Sequence, residues 1–240
     1  MARHDDLALT PRSARAWAPG SVPAVDRTFW EERWNLGQIG FHEGAPNDLL
    51  RRHVGALGAG RVYVPLCGKT HDLHYLRDQG FEVTGVELVA SAIAQLFAEL
   101  GPEAPQVDAL PPFRRHRGGG LTVLEGDAFA LTPAHLGGEV DAVFDRAALV
   151  AVDPSTREAY VARLAAVLRP GGRVLLVTFD YDQAKLPGPP WAVSPEVVRA
   201  LCEGAFEVEL LEERRAAVSP KFEAAGAEVW ERLFLLQKRA

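Results

Sequence analysis

The sequence predicts an α/β protein with a doubly wound, mainly parallel sheet of about seven strands and an antiparallel hairpin at one edge. Two observations lead to this fold class. Segments 141–145 (DAVFD) and 173–179 (RVLLVTF) are apolar on both faces, as strands are when helices cover both sides of a parallel sheet. Segments with helical periodicity also alternate with strand-like segments along most of the chain.

The domain organisation follows from composition. The chain has 240 residues, of which 48% are hydrophobic, and this is enough for one sizeable core. Residues 1–26 are rich in Pro, Ala, Arg and Ser and show little periodicity, so we expect a mobile N-terminal arm there. Residues 27–240 are therefore predicted to form a single domain.

The elements of this domain are predicted in chain order from periodicity and turn residues. A turn or helix around Trp30 and Trp34 comes first. Helices follow at residues 47–57, 70–79 (with Thr70 as N-cap), 90–100, 155–168 and 195–203. Strands are predicted at residues 61–66, 81–87, 121–125, 140–145, 173–179, 206–211 and 229–236, the last two joined by a loop as the edge hairpin. Residues 101–120 hold four prolines and three consecutive glycines, which predicts a surface loop.

Charge and cysteine usage narrow the class of protein. The formal net charge is −6 and acidic and basic residues are well mixed, which argues against a basic face for nucleic acid. No apolar run approaches the roughly 20 residues of a membrane helix. Cys67 and Cys202 form neither a disulfide framework nor a metal-ligand pair. We expect a soluble, cytoplasmic monomer that acts on a small molecule.

Residues 62–73 (VYVPLCGKTHDL) pose the first functional question, because Gly68, Lys69 and Thr70 are the last three letters of a phosphate-binding loop. That loop needs another glycine five positions before Gly68, where this chain has Tyr63. A tyrosine inside a strand cannot form the first tight turn of the loop. The triplet therefore does not predict a nucleoside triphosphatase.

A dinucleotide site is the next interpretation, because an acid, Glu87, follows the glycine turn by about twenty residues. The turn has one glycine where a dinucleotide motif has three, and those glycines let the backbone approach a pyrophosphate. A cofactor with adenosine but no phosphates keeps the need for the acid and relaxes the need for the glycines. This reasoning favours S-adenosylmethionine and leaves a dehydrogenase as a distant alternative.

Polar residues at other strand ends fit such a cofactor. Glu87 can accept hydrogen bonds from both ribose hydroxyls, or can be a solvated acid before a helix. Asp127 can accept a bond from the adenine amine, or can cap a turn. Asp145 and Arg146 follow the next strand, where Arg146 either contacts ligand or pairs with Asp145 to stabilise the fold.

Four blocks of the sequence resemble the thiopurine S-methyltransferase family in order and spacing. They are FWEERWNLGQIGFHEGAPN, VYVPLCGKTHDLHYLRDQGFEVTGVEL, DAVFDRAALVAVDPSTREAY and YDQAKLPGPPWAV, within a resemblance that covers about residues 29–236. The resemblance implies a Rossmann-like fold and an S-adenosylmethionine-dependent methyltransferase. The implied acceptor is sulfur or a related soft nucleophile.

The resemblance also implies site residues by position. Cofactor contacts are implied for Trp30, Trp34, Phe41, Leu66, Gly68, Glu87, Asp127, Ala128 and Arg146. Acceptor contacts are implied for Phe41, Arg146, Trp191 and Lys221. Arg146 is the candidate catalytic residue, because a nearby guanidinium favours the thiolate form of a thiol. The rings of the segment 30–41 could contact the sulfonium or adenine, although Trp34 could equally pack its own helix.

This chain departs from the family pattern at three positions. Trp191 follows GPP where the family usually has Phe, so the pocket volume is expected to differ. Lys221 falls near the place of a second arginine, with Arg214 and Arg215 as alternatives. Asp127 replaces a small polar residue of the vertebrate enzymes and resembles the bacterial pattern.

Other residues that suggest chemistry receive a structural interpretation. His71, Asp72 and His74 lack further ligands at a recognisable spacing, so we predict no metal. Cys67 has no histidine partner in its motif and is predicted to pack in the interior. The role of His42 stays open between ordering the lid, touching the substrate and neither.

The functional prediction is methyl transfer from S-adenosylmethionine to the sulfur of a thiol, aromatic or heterocyclic like a thiopurine. Tellurium or selenium species and halides are alternative acceptors. A protein that binds the cofactor without turnover is the alternative outside this class. A pocket completed by Phe41, Arg146 and the GPPW loop would favour the enzyme, because a mere binder would not need it.

Overall fold

The computed structural model describes residues 27–216 and 220–240, so the predicted arm at residues 1–26 lies outside the described residues. The helices are α1 (Arg27–Asn35), α2 (Asp48–His53), α3 (Asp72–Asp78), α4 (Ala90–Leu100), α5 (Arg157–Val167), α6 (Pro195–Cys202) and α7 (Pro220–Ala224). The strands are β1 (Arg61–Val64), β2 (Glu82–Glu87), β3 (Gln106–Leu110), β4 (Phe113–Gly118), β5 (Leu121–Glu125), β6 (Val140–Arg146), β7 (Leu168–Asp180), β8 (Phe206–Arg215) and β9 (Trp230–Lys238). Within these two ranges, no helix has the length and apolar character needed to cross a membrane.

The nine strands of the described ranges form one mixed sheet in the order β3-β4-β5-β2-β1-β6-β7-β9-β8. The five central strands from β5 to β7 are parallel. The strands β3 and β4 on one side and β9 and β8 on the other are antiparallel. The predicted α/β class and the antiparallel pair at one edge are confirmed, with two more strands than the expected seven.

The two additional strands correct the prediction of a surface loop at residues 101–120. β3 and β4 form a hairpin that extends the sheet beyond β5. The prolines do not interrupt it, because they lie in its turn or before β3. The arginines of β4 are exposed or half-buried, and Arg115 pairs with Asp108 on β3, while Phe113 and His116 are buried.

Two local predictions are also wrong. Helix α3 begins at Asp72 with His71 as its N-cap residue, two positions after the predicted start. The Thr70 hydroxyl accepts the backbone N–H of Asp72 over 3.3 Å and donates to the Asp72 carboxylate over 2.7 Å. Asp72 is buried, and its carboxylate also accepts the backbone N–H of Asn47. The connection between β8 and β9 contains the short helix α7 and is not only a loop.

Apolar residues fill both sides of the central strands. On β1, Val62 and Val64 belong to one core cluster and Tyr63 belongs to the other. On β6, Val143 and Phe144 divide between the two clusters in the same way. This alternation explains why the strands are apolar at consecutive positions.

The strand order reverses at β1, and a crevice at the carboxyl ends of the strands is expected at such a switch point. From β1 the sheet runs through β2 and β5 on one side and through β6 and β7 on the other. The turns after β1 and β6 place Leu66 and Ala147 at φ values of +46° and +63°. A left-handed conformation of this kind costs on the order of 1–3 kcal/mol, so the surrounding packing has to hold both turns in place.

Asp145 anchors the carboxyl end of β6 from inside the core. Its carboxylate is fully buried and accepts hydrogen bonds from the Tyr160 hydroxyl (2.7 Å) and from the Leu149 backbone N–H (3.1 Å). Burial raises the pKa of Asp145 to about 6, although these hydrogen bonds oppose the rise. The predicted alternative of an Asp145–Arg146 ion pair is wrong, since Asp145 bonds to other groups.

We expect Asp145→Asn to remove a pH dependence of stability. The folded pKa of about 6 exceeds the ordinary value of 3.8. The contribution of Asp145 to the free energy of unfolding is therefore full below the unfolded pKa and is lost as pH rises through the folded pKa. The loss amounts to up to about 3 kcal/mol. Urea unfolding of both proteins between about pH 4 and about pH 7.5 tests this, and parallel stability curves would contradict it.

Candidate active site

A cavity of about 1200 Å³ opens at the carboxyl ends of β1, β2, β5 and β6. Its lining includes residues from α1 to residue 43, the loop at residues 189–191 and the ends of β8 and β9. Small-molecule sites usually measure about 300–1,000 Å³. The volume therefore suits a cofactor together with a small acceptor.

Glu87 lies at the cavity wall at the end of β2 and is 6% exposed. One carboxylate oxygen accepts the Gly68 N–H and the other accepts the Val89 N–H, both over 2.8 Å. Burial raises the pKa of Glu87, and the backbone N–H groups that point at the carboxylate oppose this rise. Because each oxygen has a further lone pair, the carboxylate can also accept two hydroxyl groups from a ligand.

Gly68 holds the turn after β1 close to the first helix. Its φ is +50°, and a Cβ at this position would lie 2.9 Å from a ring carbon of Trp34. Trp34 itself is buried against Val89 and Ala92, and it also lines the cavity. The two interpretations of Trp34, packing and ligand contact, are thus compatible.

Aromatic rings form a lid over this end of the cavity. The ring centroid of Phe41 is 6.1 Å from that of Trp30 and 5.9 Å from that of Trp34, both in edge-on arrangements. Arg27 fastens the start of α1 by donating to the carbonyl of Leu88 over 2.7 Å. The predicted cover at residues 30–41 therefore has a defined position over the cavity.

Asp127 and Ala128 follow β5 and line the cavity together. One oxygen of Asp127 accepts the Phe129 N–H over 2.9 Å and caps a single 3-10 turn. The cap occupies one oxygen, so the second oxygen can accept a hydrogen bond from a ligand. Leu66, in the turn after β1, also lines the cavity.

Arg146, at the end of β6, binds the lid. Its guanidinium donates to the Phe41 carbonyl and to Glu43 Oε1, the latter over 2.7 Å, and its side chain is 9% exposed. Glu43 also accepts from the side-chain amide of Asn47. Sequence reasoning missed Glu43, because its partner is 103 positions away and the motif FHEG carries no sign of that partner.

The predicted acceptor-side residues Trp191 and Lys221 both line the cavity wall. Trp191 is held by a hydrogen bond from its backbone N–H to the Val150 carbonyl (2.6 Å). Lys221 donates to the Pro189 carbonyl over 3.4 Å, and burial followed by the charge of Arg33 lowers its pKa.

Arg214 and Arg215, the two alternatives to Lys221, also reach this wall. Arg214 is paired with Glu231 and Asp48, and Arg215 is paired with Glu228. Lys221 forms no carboxylate pair within residues 27–216 and 220–240. It is therefore the cation of the three that is not already neutralised.

Comparison with known proteins identifies the family. Residues 25–239 match the family described as Thiopurine S-methyltransferase (TPMT). The chain belongs to the thiopurine S-methyltransferase family. Among curated family members, a thiopurine S-methyltransferase of Pseudomonas aeruginosa is 47% identical over 77% of this chain and 85% of its own length. One from Nitrosospira multiformis is 41% identical over 90% of this chain and 99% of its own length.

Solved structures agree on the fold. The 1,6-didemethyltoxoflavin-N1-methyltransferase of Burkholderia thailandensis, solved with S-adenosylhomocysteine, matches with a TM-score of 0.62 at 22% identity, covering 96% of this chain and 94% of its own. A phosphoethanolamine N-methyltransferase 2 of Haemonchus contortus gives a TM-score of 0.64 at 14% identity, covering 91% and 61%. This thiopurine S-methyltransferase family member is thus an S-adenosylmethionine-dependent methyltransferase.

The residues of the cavity fit that cofactor. Glu87 offers buried acceptors, the lid offers aromatic faces, and Gly68 leaves room where a Cβ would displace Trp34. Carboxylate acceptors suit ribose hydroxyls, and aromatic faces suit an adenine ring and a sulfonium.

The three histidines and the cysteine that the sequence singled out lie in surroundings that suggest packing and not chemistry. The His71 ring lies 5.6 Å from the ring of His42 and 6.0 Å from that of His74. Burial lowers the pKa of His42 and of His74. In the described part of the chain, no group of three or more His, Cys, Asp and Glu side chains could hold a metal ion. Burial also raises the pKa of Cys67 well above its ordinary value, which makes it a poor nucleophile.

We expect Gly68→Ala to weaken binding of S-adenosylhomocysteine at least about tenfold. The added methyl group would collide with Trp34 and displace the N–H that binds Glu87. Isothermal titration calorimetry measures the effect. Gly80→Ala is the control, since Gly80 also has a positive φ (+91°) but nothing within 4 Å of the added Cβ. Equal affinities of the two variants would contradict the steric role of Gly68.

Proposed function

We propose that this enzyme transfers the methyl group of S-adenosylmethionine to the sulfur of an aromatic or heterocyclic thiol, such as a thiopurine. The observation that carries the proposal is the position of Arg146, which lies beside the aromatic lid and shares a cavity with Phe41 and Trp191. The thiopurine S-methyltransferase relatives support sulfur as the accepting atom.

The work left to the protein is mostly positioning. When bound, S-adenosylmethionine supplies a methyl group activated by a sulfonium. Displacement by a thiolate needs aligned reactants and little water, and it needs no strong base in the protein. The lid of Trp30, Trp34 and Phe41 excludes water, and its rings can stabilise a cation by about 0.5–2 kcal/mol.

In this proposal Arg146 stabilises the thiolate form of the acceptor. A free thiol titrates near pH 8.5, so only a small fraction is thiolate at neutral pH. Glu43 balances the net charge of Arg146, so the anion is stabilised by a guanidinium N–H donated directly to the thiolate. The Nε–H of Arg146 has no hydrogen-bond partner among the described residues. The hydrogen bond to the Phe41 carbonyl keeps Arg146 in place under the lid. The position of the lid and the position of the guanidinium therefore depend on the same residue.

An acceptor panel tests the proposal. We expect transfer of labelled methyl from S-adenosylmethionine to thiopurines and thiophenols, at rates above those for aliphatic thiols, selenite, tellurite and iodide. Glu87→Gln should weaken cofactor binding about ten- to a hundredfold, because a charge-assisted hydrogen bond contributes roughly 1.5–3 kcal/mol.

The matched control for this test is Glu125→Gln. Glu125 lies beside Glu87 in register on β5 but pairs with His116 and Arg114. The Glu125→Gln variant should bind the cofactor as tightly as the wild type. Preferred transfer to selenite, tellurite or iodide would contradict the thiol assignment.

We expect Arg146→Met to lower kcat/KM for a thiophenol about ten- to a hundredfold, because the thiolate loses a charge-assisted partner. The loss should be smaller for thiols of lower pKa, which are already ionised at the assay pH. Steady-state kinetics across a series of substituted thiophenols measures this trend. An equal loss for every member of the series would assign Arg146 to lid closure alone.

A further inference from the structure

Arg146 and Glu43 place two opposite fixed charges at one end of the cavity. Both line the cavity, and the distance between Nη2 and Oε1 is 2.7 Å. The Arg146 side chain is 9% exposed and that of Glu43 is 38% exposed. The side-chain amide of Asn47 steadies Glu43, and the backbone N–H of Asn47 is bound by Asp72. The pair is therefore anchored to the body of the protein.

The charge of this end of the site matters because donor and product differ in charge. The sulfonium of S-adenosylmethionine carries a positive charge that the thioether of S-adenosylhomocysteine lacks. An unbalanced guanidinium nearby would repel the first and leave the second unaffected. Such repulsion is strong where apolar walls exclude water.

We propose that Glu43 is a specificity-determining residue. By balancing the charge of Arg146, it allows S-adenosylmethionine, with its cationic sulfonium, to compete for the site with S-adenosylhomocysteine, whose sulfur is uncharged. The inference rests on the proposed function, in which the acceptor lies beside Arg146, because direct methyl transfer requires the sulfonium to lie next to the acceptor. It gives the ion pair a role in addition to fastening the lid.

Other charged groups of the cavity do not alter the comparison. Arg33, Glu87, Asp127, Asp153, Arg214, Arg215, Lys221 and Glu231 also line it. They are the same in every variant compared below. Their influence therefore drops out of the difference between variants.

The test is the ratio of the dissociation constants of S-adenosylmethionine and S-adenosylhomocysteine, measured by calorimetry without acceptor. Glu43→Gln leaves a net positive charge and should raise the ratio roughly tenfold. Arg146→Met leaves a net negative charge and should lower it by a similar factor. The double variant is neutral again and should return the ratio towards the wild-type value.

A matched control is Glu99→Gln. Glu99 is also 38% exposed and salt-bridged, to Lys69 over 2.8 Å, but it does not line the cavity. It should leave the ratio unchanged.

Equal weakening of both ligands in Glu43→Gln and Arg146→Met would show that the pair only holds the lid, and would overturn the inference. If Glu43→Gln does not fold, Arg146→Met alone decides, because only a charge effect lowers the ratio. The acceptor panel is independent of this readout. A signed change in the ratio without methylation of any acceptor would refute the proposed acceptor and keep the inference.

Discussion

The shape of the site depends on one buried carboxylate, that of Glu87. Its two oxygens accept N–H groups from the turn after β1 and from the segment that leads into α4. An unpaired buried carboxylate would be costly, so these bonds fix both segments relative to β2. The turn that Glu87 fixes contains Gly68, which in turn sets the position of Trp34 and of the lid above it.

The second constraint acts from the neighbouring strand. Asp145 is held inside the core, while the side chain of the next residue, Arg146, lies at the cavity and binds the lid at Phe41 and Glu43. Because successive side chains of β6 point to opposite faces of the sheet, one charged residue stabilises the core and its neighbour contacts the lid. The lid is joined to the sheet through the Arg146 side chain as well as through the packing of α1.

Much of the fold and part of the site could be predicted from the sequence. Apolar runs such as residues 173–179 identify central strands, because their pattern reflects burial on both faces. Glu87 could be proposed as a ligand residue because it ends such a strand. The hairpin of β3 and β4 could not be predicted, since Arg115 is satisfied across the hairpin by Asp108 and its strand is polar.

The partnership of Arg146 with Glu43 was equally hidden. It joins a loop to a strand end 103 positions away, and no local pattern encodes that distance. Thr70 shows the same limit on a smaller scale, because its hydroxyl bonds to both the backbone N–H and the carboxylate of Asp72 and the helix begins only at Asp72. Local signals identify elements, whereas the pairing of polar side chains depends on the assembled fold.

The central claim is that Glu87 and the Arg146–lid contact together form the site of the methyl donor. A crystal structure of the complex with S-adenosylhomocysteine tests it most directly. The account predicts both ribose hydroxyls within hydrogen-bonding distance of Glu87, with Arg146 still bound to the Phe41 carbonyl and Glu43. A ribose bound elsewhere, or an Arg146 released from the lid in the complex, would contradict it.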